Sequence, residues 1–378
     1  MNSCRWLCFL WAVAFSGASC FGAPDAWVYF GTFTNALSRG IYVAKLDGAT
    51  GTLSAPELAA AVPNPNFLAV SPNGRWLYAA TRTESTNGVV SVFAVDNHTG
   101  RLTLHQLEPS GGAGPCHVSV DAAGRIVLVA NYNSGSLKSF HVAADGRLQA
   151  GTIVQHHGHS VNARRQAGPH VHAAVMAPGG RFALACDLGT DEVRIYRINA
   201  ADGTLTPNEP AFAVVPPGSG PRHIAFSPDG QTAYVINEMA CTVTVFGWQA
   251  ASGTLELRQT LPLLPPGIKL SDAFTGAEII VRPDGRFVYA SVRGLNRIAV
   301  LRAAPADGRL SWETDVDSGG EVPRGMGLDP SGHWLLVANQ KSSTVTVFRV
   351  AAASGHLEPT GQVRSVGAPV DVKFAPAM

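Results

Sequence analysis

Residues 221–246 read Pro-Arg-His-Ile-Ala-Phe-Ser-Pro-Asp-Gly-Gln-Thr-Ala-Tyr-Val-Ile-Asn-Glu-Met-Ala-Cys-Thr-Val-Thr-Val-Phe. A short run ending at Phe226 is followed by a Ser-Pro-Asp-Gly turn and by a second apolar run ending at Ile236. After a polar loop comes the alternating run Thr242–Phe246. Period-two alternation and enrichment in Val, Ile, Phe and Tyr indicate β-strands, and Asp-Gly indicates a tight turn. The stretch therefore predicts consecutive antiparallel strands.

The same unit recurs about every 50 residues, which is typical of a β-propeller blade with four short strands. The last glycine of the first turn marks six copies, at Gly74, Gly124, Gly180, Gly230, Gly285 and Gly332. A second turn, Gly-x-Leu, marks seven copies, at Gly51, Gly100, Gly146, Gly203, Gly253, Gly308 and Gly355. The sequence thus predicts an all-β, seven-bladed propeller.

The seventh unit is split between the two ends of the chain. Trp27–Phe33 has the pattern of a second strand, and Val372–Pro376 has that of a first strand. Pairing the N- and C-terminal strands in one blade would close the ring and remove exposed sheet edges. Residues 24–378 are therefore predicted to form a single propeller domain.

Residues 1–23 lack this pattern and are predicted to be a signal peptide. Arg5 precedes an apolar run, and the small residues that follow suit cleavage after Ala18 and export to the periplasm or the extracellular space. The run is too short for a membrane-spanning helix. An alternative is a lipid anchor at Cys20. The cysteines of the domain have no metal or redox spacing, and no disulfide framework is expected.

Composition bounds the partners of the protein. The formal net charge is +1, so the protein has no strong electrostatic field that would attract nucleic acid or an anionic membrane surface. Nearly half of the residues are apolar, and glycine and proline are abundant, as a turn-rich β domain requires. A monomer that binds a small molecule is expected.

Two positions in each unit change their chemistry from unit to unit. The upstream slot, eight residues before the last glycine of the first turn, holds Asn66, Cys116, His172, Arg222, Ala277 or Arg324. The downstream slot, eight residues after that glycine, holds Arg82, Tyr132, Leu188, Glu238, Arg293 or Gln340. The first strand of a blade begins at the rim where its antiparallel neighbour ends. Both slots are therefore expected on one face, around the central channel.

We expect His172, Arg222, Glu238 and Arg293 to form a catalytic site on that face. Arginine offers a rigid fork of donors to a carboxylate, a phosphate or an ester oxyanion. His172 is the candidate base near neutral pH. Glu238 could orient His172, donate a proton or pair with an arginine. The alternative for Glu238 and Arg293 is a structural ion pair between blades.

Other polar residues have structural alternatives. His117 and His223 are expected to be packing residues, and Glu278 could belong to the site or lock two blades together. Five histidines lie between His156 and His172, a density that can indicate zinc. No carboxylate or cysteine completes a ligand set locally, and the arginines repel a cation. No metal is therefore expected, and a lid or substrate-contact loop is favoured.

Seven short motifs follow one another along the chain: Tyr29-Phe-Gly-Thr-Phe-Thr34, Ser38-Arg-Gly-Ile-Tyr42, Gly168-Pro-His-Val-His172, Asp187-Leu-Gly-Thr-Asp191, Gly220-Pro-Arg-His-Ile-Ala-Phe226, Asn237-Glu238 and Pro323-Arg-Gly325. Together they resemble the seven-bladed lactonase family, which contains the propeller-type 6-phosphogluconolactonases and the fungal carboxymuconate cyclases. The resemblance covers residues 27–375.

The resemblance implies metal-independent lactone chemistry that needs no cofactor. The cyclase branch has one His, two Arg and one Glu as proposed active-site residues, which match His172, Arg222, Arg293 and Glu238. The positions expected to bind substrate are His170, which is also the second choice for the histidine, and Arg324, Glu278 and Asn237.

The expected function is hydrolysis of a sugar-type lactone, as in a 6-phosphogluconolactonase. Phosphogluconolactone is a cytosolic substrate of that family, whereas an export signal suits an unphosphorylated sugar lactone or another cyclic ester. Two alternatives remain: a cyclase or isomerase acting on an unsaturated diacid, and a non-catalytic exported propeller that binds a surface partner. The differing slots favour one asymmetric site over a repetitive binding surface.

Overall fold

A computed structural model describes residues 24–82 and 88–377. In this part of the chain, 28 strands form seven four-stranded antiparallel sheets, which we number as blades 1–7. Blade 1 contains the last strand and the first three: β28 (Pro369–Pro376), β1 (Ala26–Thr32), β2 (Gly40–Leu46) and β3 (Glu57–Ala61). The predicted signal peptide and the alternative anchor at Cys20 lie outside the described residues.

The other blades follow in chain order. Blade 2 has β4 (Pro65–Val70), β5 (Trp76–Thr81), β6 (Val89–Val95) and β7 (Leu102–Pro109). Blade 3 has β8 (Pro115–Val120), β9 (Ile126–Asn131), β10 (Ser136–Val142) and β11 (Leu148–Gln155). Blade 4 has β12 (Val171–Met176), β13 (Phe182–Asp187), β14 (Glu192–Ile198) and β15 (Leu205–Val214).

The last three blades complete the ring. Blade 5 has β16 (Pro221–Phe226), β17 (Thr232–Asn237), β18 (Thr242–Gln249) and β19 (Thr254–Pro262). Blade 6 has β20 (Thr275–Val281), β21 (Phe287–Arg293), β22 (Arg297–Ala303) and β23 (Leu310–Asp317). Blade 7 has β24 (Pro323–Leu328), β25 (Trp334–Asn339), β26 (Thr344–Val350) and β27 (Leu357–Ser365).

Blade 1 closes the ring as the sequence predicts. β1 pairs with β28 along their whole lengths, with Ala26 opposite Pro376 and Phe30 opposite Val372. Phe30 and Val372 also pack with residues of blade 7, among them Leu336. Both the hydrogen-bonded seam and the core therefore continue across the junction of the two chain ends, and the predicted closure is confirmed.

The Gly-x-Leu turns contribute to packing between blades. Gly253, with φ +72°, lies against Phe182 of the preceding blade, where an added Cβ would be 2.3 Å from a ring carbon. Gly355 lies against Phe287 in the same way, and its carbonyl accepts a hydrogen bond from Tyr289 at 2.9 Å. Only glycine fits both the left-handed backbone and the ring beside it. The Gly-x-Leu turn that repeats in the sequence thus packs one blade against the preceding blade.

The described cysteines, Cys116, Cys186 and Cys241, are free thiols, and the last two are buried. The described residues include no helix that is long and apolar enough to cross a membrane.

Candidate active site

A β-bulge places the upstream slot residue in most blades. In β16, Pro221 pairs with Asn237 and His223 with Ile236, so Arg222 is the extra residue between them. In β12, His172 is the extra residue between Val171 and Ala173. Bulges of this kind re-aim a side chain and are common beside functional sites. The register shifts at the same position for Asn66, Cys116 and Arg324.

The downstream slot is held at the same rim. Glu238 follows the last residue of β17, and its backbone N–H donates to the carbonyl of Gly220 at 2.7 Å. Arg293 is the last residue of β21 and pairs with Thr275 at the start of β20. The starts of the first strands therefore meet the ends of the second strands, as the topology requires.

These residues surround a cavity of about 210 Å³. Its lining comprises Phe33, Asn66, Phe67, Arg82, Cys116, Tyr132, Arg165, His172, Arg222, His223, Glu238, Arg293, Arg324 and Val370. Nine of them are slot residues: Asn66, Arg82, Cys116, Tyr132, His172, Arg222, Glu238, Arg293 and Arg324.

Glu238 is the centre of the charged cluster. Its Oε2 lies 2.9 Å from Arg293 Nη2 and 3.2 Å from Arg222 Nε, and its Oε1 accepts a hydrogen bond from Arg165 Nη2 at 2.7 Å. The carboxylate is only 8% exposed. Burial alone would raise the pKa of Glu238, but Arg293, His172 and Arg222 outweigh it and hold the pKa well below its usual range. Glu238 is therefore an ionised acceptor that gathers three guanidinium groups.

His172 lies beside this carboxylate without a direct hydrogen bond to it. Its Nε2 is 3.9 Å from Glu238 Oε2, and its Nδ1 is buried with no partner in the described part of the chain. Burial, followed by the charge of Arg222, lowers the pKa of His172 well below its usual value. At neutral pH the imidazole is therefore uncharged, and one of its ring nitrogens can accept a proton.

Arg324 adds charge on another side of the cavity. Its guanidinium lies 5.5 Å from the ring centroid of Phe33, and no described carboxylate lies within salt-bridge distance of it. Burial, then the neighbouring Arg222 and Arg293, lower the pKa of Arg324 to about 9. With Arg82 in the lining as well, five guanidinium groups face a single carboxylate among the described lining residues. The cavity is suited to an anionic ligand or to a developing oxyanion.

The histidine-rich connection between β11 and β12 delivers Arg165 to the cavity. His156, at its start, bonds Asp187 through Nδ1 at 2.7 Å and the Tyr196 hydroxyl through Nε2 at 2.9 Å. Further along, Ser160 donates to Asp191 at 2.6 Å. These bonds fix the loop over the rim. No group of three or more His, Cys, Asp and Glu side chains suited to a metal ion occurs within residues 24–82 and 88–377.

Of the residues predicted to act on or bind substrate, His172, Arg222, Glu238, Arg293 and Arg324 come together in the cavity lining. His170 does not line it: its ring stacks on Tyr132 with centroids 4.5 Å apart, and its Nδ1 contacts the Tyr132 carbonyl at 3.0 Å.

Asn237 and Glu278 also lie outside the cavity lining. Asn237 is fully buried within its blade, where its amide donates to the hydroxyls of Thr242 and Thr244 at 2.8 and 2.9 Å. Glu278 lies behind the cavity and bonds His223 at 2.9 Å. Both residues stand next to a slot position, and the alternation of side chains along a strand turns them away from that rim.

The clearest residue missing from the predicted site is Arg165. The sequence marks it only as one of two adjacent arginines in a long connection, and no repeat fixes where such a loop folds. Tyr132 and Arg82 occupy downstream slots, so the repeat alignment itself carried the signal that could have placed them at the site.

The fold and the cavity define a seven-bladed propeller with one asymmetric, arginine-rich site. The family model described as "Lactonase, 7-bladed beta-propeller" matches residues 27–374. The chain therefore belongs to the seven-bladed β-propeller lactonase family, which confirms the resemblance found in the sequence.

Individual relatives agree with this membership. The chain is 35% identical over 347 residues to a protein named 6-phosphogluconolactonase from Bacillus subtilis (strain 168), covering 92% of this chain and 97% of the relative. It is 30% identical over 341 residues to a 6-phosphogluconolactonase of Formosa agariphila, covering 89% and 95%. The structure of the periplasmic gluconolactonase of Pseudomonas aeruginosa superposes with a TM-score of 0.87 at 32% identity, covering 94% and 100%.

Proposed function

We propose that the protein hydrolyses a sugar-type lactone without a metal ion. The observation that carries the proposal is the convergence of His172 and three Glu238-bound arginines in one cavity. Relatives named 6-phosphogluconolactonase and a similar periplasmic gluconolactonase support the same reaction class.

His172 is the proposed general base. Its lowered pKa keeps it neutral at pH 7, so it can take a proton from a water molecule as the water oxygen attacks the lactone carbonyl. Glu238, whose Oε2 lies 3.9 Å from Nε2, then stabilises the imidazolium that forms. When the ring C–O bond breaks, the imidazolium returns the proton to the departing alkoxide. The products are a free hydroxyl and a carboxylic acid, which ionises.

Arg222 and Arg293 are the proposed donors to the oxyanion that develops on the carbonyl oxygen. Both are oriented by Glu238, and Arg222 is 3% exposed, so their positions are set before substrate binds. Glu238 is ionised in this arrangement and therefore does not serve as a proton donor. Its proposed role is to orient the arginines and to balance the charge of protonated His172.

The number of guanidinium groups also supports a second candidate reaction. Five arginines and one carboxylate in the described lining suit an unsaturated diacid, the substrate class of a cyclase or isomerase. Loss of ultraviolet absorbance from a carboxylated muconate, with no turnover of any lactone, would select this candidate.

The test is turnover of gluconolactone and of its 6-phosphate by residues 24–378, with EDTA present. Hydrolysis in EDTA is expected, and the faster substrate shows whether a phosphate is recognised. His172→Ala and Arg222→Ala should lose activity, whereas Arg349→Ala should not, because Arg349 pairs with Glu358 on an outer strand. Full activity in both cavity variants would overturn the assignment.

We also propose that residues 1–23 contain a signal peptide cleaved after Ala18 and that residues 24–378 form the exported propeller domain. The periplasmic location stated for the similar Pseudomonas aeruginosa gluconolactonase supports export. Fractionation of cells that express the full chain, with N-terminal sequencing of the mature protein, tests this. A cytoplasmic protein that retains Met1 would contradict it, and a lipidated Cys20 would identify an anchored form.

A further inference from the structure

A second buried carboxylate lies directly behind the cavity. Glu278 follows the irregular start of β20, and its Oε1 contacts His223 Nδ1 at 2.9 Å and accepts the Ile279 backbone N–H at 3.1 Å. The Glu278 and His223 side chains are 9% and 4% exposed. Glu278 Oε2 is buried without a hydrogen-bond partner among the described residues. A carboxylate buried with so few donors costs free energy, and a compensating role is expected.

His223 stands between this carboxylate and Arg222. Burial raises the pKa of Glu278, and the charges of Lys373 and Arg222 oppose that rise. With Glu278 ionised, its carboxylate only accepts hydrogen bonds, and Nδ1 of His223 is then the nitrogen that carries the proton. Arg222 Nη1 is 3.2 Å from Nδ1 and 3.1 Å from Nε2 of the same ring. An in-plane hydrogen bond would bring Nη1 close to one nitrogen and away from the other, so these distances place Nη1 over the ring face. A ring that donates to a carboxylate is electron-rich and attracts a cation over its face.

The other charged groups nearby are paired elsewhere. Lys373 Nζ lies 2.7 Å from Asp371 Oδ1 and 4.3 Å from the ring centroid of Phe67. Among the described side chains, the salt bridge of Glu278 is therefore to His223 alone. The Glu278 carboxylate contacts the His223 imidazole, and the imidazole contacts the Arg222 guanidinium, which lines the cavity. The three groups therefore form one continuous row of contacts.

We propose that Glu278 and His223 are positioning residues that hold the guanidinium of Arg222 in the orientation that meets the developing oxyanion. The inference rests on the proposed lactone hydrolysis. Glu238 and the carbonyl of Ala277 also hold the Arg222 guanidinium, through Nε and Nη1. Loss of the charge on Glu278 weakens the contact between the imidazole and Arg222 and lets the guanidinium reorient.

The test is a set of conservative variants assayed for lactone hydrolysis. Glu278→Gln keeps the shape and removes the charge, and kcat is expected to fall on the order of 10- to 100-fold, the range found for the groups that orient metal ligands in metalloenzymes. KM should change less than about 3-fold, because Arg222 acts mainly on the transition state. His223→Gln should lose a similar factor, and the double variant should lose no more than either single variant.

The matched control is Asp329→Asn. Asp329 is also a buried carboxylate, but it accepts backbone N–H groups in a turn at the opposite rim. The Asp329→Asn substitution should leave kcat unchanged. Folded Glu278→Gln with wild-type kcat, or single-variant losses that multiply in the double variant, would overturn the proposal.

A measurement on the unaltered protein separates this proposal from the proposed function. In ¹⁵N-histidine NMR spectra, His223 should be the tautomer protonated at Nδ1, and Glu278→Gln should shift that resonance. A His223 protonated at Nε2 overturns the positioning role even if lactones are hydrolysed. Absence of turnover on every lactone, with the expected tautomer present, overturns the proposed function and leaves the row of contacts established.

Discussion

His156 and His172 lie at the two ends of the same connection, both are buried, and both stand within 4 Å of a carboxylate. His156 has both nitrogens bonded, to Asp187 and to the Tyr196 hydroxyl. His172 has an unpartnered Nδ1 and a Nε2 3.9 Å from Glu238. A histidine bonded at both nitrogens is fixed in one tautomer, whereas one with open nitrogens can exchange a proton. We therefore assign a structural role to His156 and a chemical role to His172.

The carboxylates beside the two histidines differ in the same way. Asp187 accepts hydrogen bonds from the backbone N–H groups of His170 and Gly189, and so ties the loop to its blade. Glu238 bonds three arginine side chains that line the cavity. Backbone partners fix a fold, whereas arginine side chains that line a cavity can also meet a ligand.

The largest effect is expected from His172→Ala. Loss of the general base should lower kcat/KM by about 10²- to 10⁴-fold. The melting temperature should change little, because Nδ1 has no partner among the described residues and Nε2 lies 3.9 Å from Glu238, beyond hydrogen-bond distance. Lactone assays and calorimetry on the same preparation check both. A large drop in melting temperature with retained activity would reverse the assigned roles.

Glu238→Gln should lower both stability and activity. Removing the carboxylate leaves Arg165, Arg222 and Arg293 without their shared counter-charge, at a cost of about 3 kcal/mol for a buried pair that loses one partner. The depressed pKa of Glu238 means that its contribution is present above its ordinary range near pH 4.5 and is lost as the pH falls below that.

Urea unfolding at pH 7 and at lower pH measures this contribution. The difference between wild type and Glu238→Gln should shrink on acidification. The control is Glu358→Gln, which breaks an exposed pair with Arg349 and should leave stability and activity close to wild type. A gap between wild type and Glu238→Gln that stays constant as the pH falls would contradict the assigned charge state.

His156→Ala should show the opposite pattern to His172→Ala. It removes the hydrogen-bond partner of Asp187 Oδ2 and of the buried Tyr196 hydroxyl, and should cost about 1–3 kcal/mol of stability. Activity per folded molecule should stay within about 3-fold of wild type, since His156 does not line the cavity. Unfolding curves and active-site titration check this prediction, and a selective loss of kcat would contradict it.

The smallest effect is on the pH profile. Because the pKa of His172 lies well below 6.5 in the folded protein, kcat/KM should stay level as the pH falls from about 8 through 6.5 and decline only below that. Rate measurements across this range with a lactone whose own hydrolysis is subtracted check the prediction. An acid limb centred at or above 6.5 would show that His172 is not the group that limits the rate.

The sequence predicted the blades and most of the cavity because both depend on repetition. Strand direction puts both slots at one rim, whatever residues fill them. The positions of His172, Arg222, Glu238 and Arg293 at the cavity can therefore be predicted from the repeat alone. Arg165 lies in a long connection with no periodicity, so no sequence rule places it. Asn237 and Glu278 each stand next to a slot position and lie outside the cavity lining, because local backbone geometry, which the repeat does not specify, decides which side a residue faces.

The seam that closes blade 1 determines how the ring responds to tension. Ala26 and Pro376 are paired at one end of β1 and β28, on the side away from the cavity. A force that pulls these two ends apart acts on the last hydrogen bonds of the pair first and separates the strands stepwise, like a zipper. In each of the other sheets the four strands follow one another in sequence and are joined by turns. Under load the ring should therefore open at blade 1 before any other blade yields.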